Sequence, residues 1–335
     1  MIKEDIKTII SGLKEFSDVV AGKTFLVTGG SGFLGSWVCE VLVEMKAKVV
    51  CVDNLSSGLK KNIEKLVENK KIIFVEADVS SFDTKDRINY IIHMASIASP
   101  PFYQAYPIET LDANTFGTKK MLELARKNNA TILYASTSEV YGETDEIPTP
   151  EGYYGYVNSY GPRAVYDEGK RVAEAYCYAY WKKFGAKVRV ARLFNTYGPR
   201  LDVKQTSQYG RVVVKFIEQA LSNNPVTVNG NGKQTRSFCY ITDLIVGLIK
   251  LLLKPNLDGE IVNLGNDDEI TILELANKII KLTNSKSKII FQAMPKDDPM
   301  RRCPDLNKAK KTLGYEAKVP LEIGLKRTID WLRRR

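Results

Sequence analysis

Tyr166 and Lys170 are the residues of this sequence best suited to moving a proton, because they stand four positions apart. They lie near the start of a strongly helical segment, residues 163–184, in which four-residue spacing places both side chains on one face. A lysine ammonium next to a phenol stabilises the phenolate form. Such a tyrosine can take a proton from a hydroxyl group while a hydride leaves the carbon that carries it. We therefore predict an oxidation centred on Tyr166.

Thr137 lies in a polar run, residues 136–142, which follows a short apolar strand predicted at residues 132–135. Its side chain could hold and orient the hydroxyl group that Tyr166 deprotonates. Ser138 and Glu139 come next in the same run. A Tyr-x-x-x-Lys spacing is common in proteins and proves little by itself, so the prediction depends on the elements around it.

A glycine-rich turn near the start of the chain could hold a dinucleotide. Residues 24–28 form a β-branched and aromatic run suited to a buried strand, and Gly29, Gly32 and Gly35 follow it before a helical pattern. Glycines let the backbone approach a pyrophosphate closely, and the free amides of the helix N-terminus bind its charge. The alternative is an ordinary glycine turn, but the strand and the helix that the motif requires are both predicted here.

Asp53 ends a second apolar run, about twenty positions after Gly32, where an acceptor for the ribose hydroxyls of a dinucleotide is expected. Asn54 and Leu55 follow, with no arginine nearby to bind a 2′-phosphate. The sequence therefore favours NAD over NADP.

Further strand-like runs at residues 71–76 and 90–94 alternate with helical segments, which predicts a doubly wound parallel sheet of the α/β class. Ligands bind at the carboxyl ends of such strands. His93, at one strand end, is interpreted as a neutral side chain lining the cofactor pocket rather than as the catalytic base. The other residues assigned to the cofactor are Phe33, Leu34, Asn54, Ser57, Gly58, Asp78, Val79, Met94, Ala95, Ser96 and Asn114, with Tyr166 and Lys170.

Composition sets limits on the kind of protein. The chain has 335 residues, of which 44% are hydrophobic and 26% charged, as in ordinary soluble globular proteins. Five dispersed cysteines and a single histidine indicate reduced thiols and argue against a metal site. No secretory signal or membrane-spanning run is found, so we expect a cytoplasmic protein with no membrane partner. The net charge of +10 is interpreted as a solvated basic surface that would favour an anionic small substrate.

The glycine loop, the polar run at 136–142 and the Tyr166–Lys170 pair together resemble the extended short-chain dehydrogenase/reductase superfamily, over nearly the whole chain from Lys23 onward. The resemblance implies a Rossmann-type domain with a smaller, discontinuous C-terminal substrate domain. Thr137, Tyr166 and Lys170 match the catalytic triad of that superfamily.

The Ser138-Glu139 pair resembles one branch of the superfamily, the UDP-glucuronate decarboxylases, also called UDP-xylose synthases. Residues 95–103, 161–171 and 297–305 resemble the same branch, except that Cys303 stands where a lysine is common. The resemblance implies decarboxylation of a 4-keto sugar acid, with roles for Ser138, Glu139 and Arg302, the last facing the carboxylate or the enolate oxygen. The alternative for Arg302 is a surface arginine before a turn.

The implied substrate site lies mainly in the second half of the chain. We place the first domain at residues 23–194 plus 237–265 and the substrate domain at 195–236 plus 266–335, after an N-terminal helical extension at 1–22. Residues 201–208 are the candidate for a mobile loop over the sugar. The residues assigned to a UDP-sugar are Pro101, Tyr103, Asn195, Arg200, Gly210, Arg211, Val212, Gln234, Arg236 and Arg302.

Two further expectations concern packing and association. Residues 2–20 are predicted to form one amphipathic helix, with Ile6, Ile9, Ile10, Leu13 and Phe16 on its apolar stripe. The resemblance also implies that amphipathic helices at 114–128 and 163–184 pair with their copies in a homodimer. The sequence itself shows only apolar stripes, which fit packing within one chain equally well.

Two other functions compete with the decarboxylase. One is a nucleotide-sugar 4-epimerase or 4,6-dehydratase, against which the Ser138-Glu139 pair and Arg302 argue. The other is a non-catalytic Rossmann protein that binds nucleic acid or has a regulatory role, an idea that the net charge invites. Such a protein needs none of Thr137, Tyr166 and Lys170, and the chain lacks a basic stripe interleaved with aromatic residues. No nucleic-acid partner is therefore expected.

Overall fold

The computed structural model describes residues 2–201, 212–295 and 297–334. The strands are β1 (Thr24–Thr28), β2 (Lys48–Asp53), β3 (Ile73–Glu76), β4 (Tyr90–His93), β5 (Thr131–Thr137), β6 (Val188–Leu193), β7 (Thr196–Tyr197), β8 (Val226–Asn229), β9 (Thr235–Ser237), β10 (Cys239–Tyr240), β11 (Ile261–Leu264), β12 (Glu269–Thr271) and β13 (Ile289–Gln292).

The α-helices are α1 (Ile2–Gly12), α2 (Ser17–Val20), α3 (Phe33–Glu44), α4 (Glu64–Glu68), α5 (Pro100–Ala105), α6 (Pro107–Asp112), α7 (Thr118–Asn128), α8 (Ala164–Phe184), α9 (Val212–Leu221), α10 (Ile241–Leu253), α11 (Ile272–Thr283), α12 (Asn307–Leu313) and α13 (Leu321–Arg333). A π-helical turn, Ala113–Gly117, joins α6 to α7.

Among the described residues, seven parallel strands form one sheet in the order β11-β6-β5-β4-β1-β2-β3. The predicted α/β class and Rossmann-type sheet are confirmed. The chain builds β1 to β3 in one direction and then returns to place β4 on the other side of β1. At this switch point the loops after β1 and β4 diverge and leave a crevice at the carboxyl ends of the strands, where ligands bind in such sheets.

Helices cover both faces of the sheet, so an inner strand such as β1 buries residues on both of its faces rather than on one. Phe25 and Val27 of β1 belong to a core cluster with α1, α3 and α10. Leu26, between them in sequence, belongs to a second cluster with α7 and α8. All seven residues of β5 are buried. This rigid central layer positions the polar residues that follow its strands.

The predicted single helix over residues 2–20 is wrong, because α1 ends at Gly12 and a 3-10 turn, Lys14–Phe16, separates it from α2. Glycine has low helix propensity, and Leu13 after it leaves helical geometry with φ −115° and ψ 8°. Leu13 is fully buried, whereas Ile10, placed on the same stripe by the prediction, is only half-buried.

Helix α1 is fixed by a buried carboxylate. Asp5 is 1% exposed and accepts hydrogen bonds from the Tyr240 hydroxyl at 2.8 Å and from Arg327 Nη1 at 2.7 Å. Burial raises the pKa of Asp5, although both partners act in the opposite direction. The contact joins the first helix to β10 and α13, three segments that are distant in sequence.

The second half of the chain adds small two-stranded sheets, in which β8 pairs with β13 and β9 with β12. Strand β11 returns to the main sheet and pairs in parallel with β6. The division into domains at the residues named above stays a prediction. No helix in the described part of the chain is both long and apolar enough to cross a membrane.

Arg189, on β6, satisfies the C-terminal end of α10, where helix carbonyls lack intrahelical partners. It is 5% exposed, and its Nη1 donates to the carbonyl oxygens of Leu251 at 2.8 Å and Lys254 at 2.6 Å, and also to that of Leu252. Its Nε and Nη2 donate to Asp258 at 3.3 and 3.2 Å. The side chain therefore ties a sheet strand to a covering helix.

We expect Arg189→Met to lower the free energy of unfolding by about 3 kcal/mol, since it leaves buried carbonyls and a carboxylate without their donor. Urea denaturation followed by circular dichroism measures this loss. Arg126→Met is the control, because Arg126 pairs with Glu123 on the surface and its removal should cost less than about 1 kcal/mol. Equal losses in the two variants would contradict this account of Arg189.

Candidate active site

The loop after β1 is a tight turn packed against the start of α3. Gly29 has a positive φ of 68°, and a Cβ atom on Gly35 would lie 2.2 Å from the carbonyl oxygen of Gly29. The carboxylate of Asp53 accepts from the amide of Ser31 at 3.0 Å and from that of Leu55 at 2.8 Å. The end of β2 therefore fixes the glycine loop, and only glycine fits where the loop meets the helix.

A single cavity of about 1260 Å³ runs from this loop across the carboxyl ends of the strands to β8 and β9. The residues predicted to bind the cofactor that line it are Gly29, Gly32, Phe33, Leu34, Gly35, Asp53, Asn54, Ser57, Gly58, Asp78, Val79, Met94, Ala95, Ser96, Tyr166 and Lys170. The structure thus brings together residues from five separate segments.

Two residues expected at the cofactor do not reach the cavity wall formed by the described residues. Asn114, in the π-helical turn, is fully buried, and its amide lies where Gly169 of α8 makes a close approach. His93 is 1% exposed, with Nδ1 2.7 Å from the Thr28 hydroxyl and Nε2 3.1 Å from the Thr118 hydroxyl. Burial and the nearby Lys170 lower the pKa of His93 to about 3, so it is neutral and serves the packing of β1, β4 and α7.

The part of the cavity next to the glycine loop fits a dinucleotide. The hydroxyls of Ser31 and Ser96 are buried and have no hydrogen-bond partner within the described structure. A Cβ atom on Gly58 would lie 2.1 Å from Ser31 Oγ and 2.9 Å from the Asp53 carboxylate, so this wall admits no larger residue. Backbone amides of the glycine loop would hold the pyrophosphate, and Asp53 would hold the ribose.

The proton-transfer centre lies between β5 and α8. Lys170 is 3% exposed and its Nζ donates to the carbonyl oxygen of Ala135 at 2.9 Å. Burial lowers the pKa of Lys170 to about 7, with Glu174 acting against that effect. The Lys170 Nζ is 5.8 Å from the centre of the Tyr166 ring, and that ring stacks on the Tyr103 ring with the two centres 5.3 Å apart. Tyr166 is therefore fixed beside a cation that can lose or hold its proton near neutral pH.

The end of β5 presents three further predicted residues to the same cavity. Thr137, Ser138 and Glu139 all line it, and the Glu139 amide donates to Thr137 Oγ1 at 3.3 Å. Thr137 is thus the N-cap of a short 3-10 turn, Ser138–Tyr141, which turns the chain away from the sheet. The predicted grouping of Thr137, Tyr166 and Lys170 around one cavity is present in the structure.

Glu139 is the centre of a cluster of arginines. Arg163 Nη2 donates to its carboxylate, and Arg302 Nη2 does so at 3.2 Å. Burial alone would raise the pKa of Glu139, but Arg163, Arg302 and Arg236 outweigh it and lower the pKa to about 2. Glu139 is therefore ionised in neutral solution and cannot donate a proton there.

Arg302 does not face the cavity as predicted. Arg302 is 2% exposed. Its Nη1 donates to the carbonyl oxygen of Gly142 at 2.7 Å, and its Nη2 donates to the Glu139 carboxylate at 3.2 Å. A guanidinium held by these two acceptors lies behind Glu139, and it is absent from the cavity wall that the described residues form. The structure therefore supports an action of Arg302 through Glu139.

The other predicted substrate residues divide into three groups. Those that line the cavity are Pro101, Tyr103, Asn195, Val212, Gln234 and Arg236. Arg200 is not part of the wall that the described residues form: it donates to the Ser36 carbonyl oxygen at 3.0 Å, pairs with Glu40 and stacks on Trp37 of α3. Gly210, Arg211 and residues 202–208 of the predicted mobile loop lie outside the described residues.

Asn195 and Arg236 offer donors to an anionic ligand. The Asn195 amide nitrogen is buried without a partner among the described residues. Arg236 Nη2 lies 3.3 Å from Asp298, and its Nη1 donates to the carbonyl oxygen of Thr235 at 2.8 Å. A guanidinium recognises phosphate oxygens by a two-pronged fork, which suits Arg236 to a diphosphate.

Sequence reasoning missed Arg163, which lines the cavity directly before α8. Its Nε and Nη1 are 3.6 Å from Asp167 and 3.8 Å from Asp298, both beyond ordinary hydrogen-bond distance. Burial and Glu139 raise the pKa of Asp167 to about 7, so its negative charge is only partial near neutrality. Arg163 falls in the segment 161–171, whose resemblance to the decarboxylases could have pointed to it. Its position next to Glu139 depends on the long-range packing of β5 on α8, which the sequence does not reveal.

The described residues contain no group of three or more histidine, cysteine, aspartate and glutamate side chains arranged to hold a metal ion.

The comparisons with known proteins agree with this geometry. The profile of the NAD dependent epimerase/dehydratase family matches residues 25–265. A UDP-glucuronic acid decarboxylase 1 from Danio rerio is 48% identical over 312 residues, which are 93% of this chain and 73% of that protein. A UDP-glucuronic acid decarboxylase 3 from Arabidopsis thaliana is 44% identical over 301 residues, 90% of this chain and 86% of that protein.

Solved structures with the same architecture include a UDP-glucose 4-epimerase from Thermotoga maritima with UDP-glucose. It has a TM-score of 0.85 and 30% identity, covering 93% of this chain and 99% of that chain. A UDP-glucuronic acid 4-epimerase from Bacillus cereus, in complex with UDP-glucuronic acid and NAD, has a TM-score of 0.84 and 27% identity, with 93% and 99% coverage.

The glycine loop gives a direct test of the dinucleotide site. We expect Gly35→Ala to weaken NAD binding about tenfold or more, because the added methyl group displaces the loop whose amides would hold the pyrophosphate. Isothermal titration calorimetry measures the change. Gly152→Ala is the control, since a Cβ atom there has no heavy atom within 4 Å. Unchanged affinity in Gly35→Ala would place the dinucleotide elsewhere.

Proposed function

This chain belongs to the NAD dependent epimerase/dehydratase family, and we propose that it converts UDP-glucuronate to UDP-xylose and CO₂ through a 4-keto intermediate. The observation that carries the proposal is one cavity in which Tyr166, Lys170 and Thr137 lie beside the Glu139 and Arg163 pair. The first three residues suit oxidation of a sugar hydroxyl, and the last two suit a substrate with a carboxylate.

The first chemical step is oxidation at C4′. Thr137 orients the C4′ hydroxyl and Tyr166 takes its proton, with the Lys170 ammonium stabilising the phenolate. Bound NAD would accept the hydride from C4′ and return it after the carboxylate has left. Asp53 and the amides of the glycine loop would hold the cofactor.

The second step uses the carbonyl group formed at C4′. In a β-keto acid the bond between C5′ and the carboxylate breaks, CO₂ leaves, and its electron pair moves toward the C4′ oxygen as an enolate. A proton then adds at C5′. Because Glu139 is ionised in neutral solution, it does not supply that proton. Glu139 and Ser138 instead orient the group that donates it.

Arg163 is the residue that we assign to the substrate carboxylate. It lines the cavity, and two of its nitrogens lie beyond hydrogen-bond distance of their nearest carboxylates. The guanidinium can therefore take a new acceptor while Nη2 keeps Glu139 in place. Arg302 holds Glu139 from behind, and Asn195, Gln234 and Arg236 are assigned to the UDP group.

We also infer that the protein forms a homodimer in the cytoplasm. Phe116, Val172 and Tyr178 are 58%, 42% and 61% exposed on the two helical segments expected to pair with their copies. Burial of these side chains against a second copy would remove apolar surface from water.

The reaction is tested by incubating the purified protein with UDP-glucuronate and NAD and analysing the product by mass spectrometry and proton NMR. We expect loss of one CO₂, formation of UDP-xylose and no net change in NADH. Loss of CO₂ with accumulating NADH would show an enzyme that stops at the ketone. UDP-galacturonate with its carboxylate intact would show a 4-epimerase and would refute the decarboxylase proposal.

The role of Arg163 is tested by binding. We expect Arg163→Gln to weaken the binding of UDP-glucuronate about tenfold or more, because a charge-assisted hydrogen bond is lost. The affinity for UDP should stay nearly unchanged. Calorimetric titrations with the two ligands measure this difference. Arg301→Gln is the control, since Arg301 is exposed and pairs with Glu269 outside the cavity wall. Equal loss of affinity for both ligands would contradict carboxylate recognition by Arg163.

A further inference from the structure

Glu174 is a buried carboxylate to which the reaction above gives no task. It follows Lys170 by four residues, as Lys170 follows Tyr166, so the three side chains share one face of α8. Arg192 of β6 binds it through both prongs, with Nε to Oε1 at 2.9 Å and Nη2 to Oε2 at 2.6 Å. The two side chains are only 10% and 11% exposed. A paired carboxylate in such a place requires a structural or chemical reason.

Ser136 connects Glu174 to the catalytic end of β5. Its hydroxyl donates to Glu174 Oε1 at 2.5 Å. The neighbouring residues on either side are Ala135, whose carbonyl oxygen holds Lys170, and Thr137, which we assign to the substrate hydroxyl. Successive residues of a strand point to opposite faces, so fixing the Ser136 side chain also fixes the direction of its neighbours. Glu174 thus holds the strand segment that carries the reacting groups.

Glu174 is also the acidic side chain that acts most strongly to keep the proton on Lys170. The titratable groups around the ammonium are Tyr166, Glu174 and Cys177 from α8, Tyr134 from β5 and His93 from β4. His93 is neutral, and burial raises the pKa of both Tyr134 and Cys177, so neither carries a charge near neutral pH. Of these groups, the Glu174 carboxylate alone carries a negative charge that opposes loss of the Lys170 proton.

We propose that Glu174 is a positioning residue for the proton-transfer centre: it fixes the end of β5 through Ser136 and Arg192, and its charge keeps Lys170 in the ammonium form. The two-pronged pair with Arg192 balances the Glu174 charge and fixes the direction of its carboxylate inside the protein. The series Tyr166, Lys170, Glu174 is therefore one functional unit along a single helix face.

The decisive measurement is an NMR titration of Lys170 in the whole chain labelled at lysine ¹³Cε, with Lys170→Met used to assign the signal. Glu174→Gln keeps the shape of the side chain but removes its charge and leaves the Arg192 cation unbalanced. Both changes disfavour the ammonium, so we expect the Lys170 pKa to fall by about one unit or more. Glu174→Asp retains the charge and should keep the pKa close to that of the unmodified protein.

Two outcomes would overturn the proposal: an unchanged Lys170 pKa in Glu174→Gln, or equal shifts in the Gln and Asp variants, which would assign the effect to packing. If Glu174→Gln does not fold, the double variant Glu174→Gln/Arg192→Met removes the unbalanced cation. Its Lys170 pKa is still expected to lie below that of the unmodified protein, and an unchanged value would refute the role of the charge.

A kinetic measurement extends this test and rests on the proposed decarboxylation. Only the ammonium form of Lys170 stabilises the Tyr166 phenolate, so the alkaline limb of the pH profile of kcat should move to lower pH in Glu174→Gln by the shift seen in the NMR titration. A limb that stays in place while the NMR pKa moves would contradict the link to proton transfer. Absence of decarboxylation in the unmodified protein, with the NMR shift intact, would refute the proposed function alone.

Discussion

The hydrogen bond between Lys170 Nζ and the carbonyl oxygen of Ala135 is the contact on which the active site depends. It joins a helix to the end of a central strand at the point where the cavity begins. A buried ammonium is costly, and here that cost brings its pKa to about 7. The neighbouring aromatic rings and Glu174 are arranged around this one charge. Without it, the ammonium would not be held beside the Tyr166 ring.

A second group of charges consists of Glu139, Arg163 and Arg236 in the cavity wall and Arg302 behind Glu139. Its members come from four separate segments of the chain, so the group exists only in the folded protein. Buried ion pairs add little net stability, because desolvation offsets their attraction. The arrangement is better explained by recognition of an anionic substrate. Arg302 holds the Glu139 carboxylate, and Arg163 and Arg236 are available to a ligand.

The sequence allowed prediction of the parallel sheet, the glycine loop and the residues at the ends of β1, β2, β4 and β5, because periodicity and motif spacing are local signals. It did not allow prediction of side-chain contacts between segments. Arg302 was expected in the cavity but lies behind Glu139, and Arg163 was overlooked, because the long-range packing of α8 and the 297–302 segment decides which arginine faces the ligand. The break after Gly12 was missed because the apolar stripe continues across it.

The π-helical turn at Ala113–Gly117 limits which substitutions two positions of the chain can accept. It brings Asn114 so close to α8 that a methyl group on Gly169 would lie 3.2 Å from the Asn114 Cβ atom and 3.3 Å from its amide nitrogen. Neither position can change much in size without a compensating change in the other. Among related enzymes the two positions should therefore vary as a correlated pair.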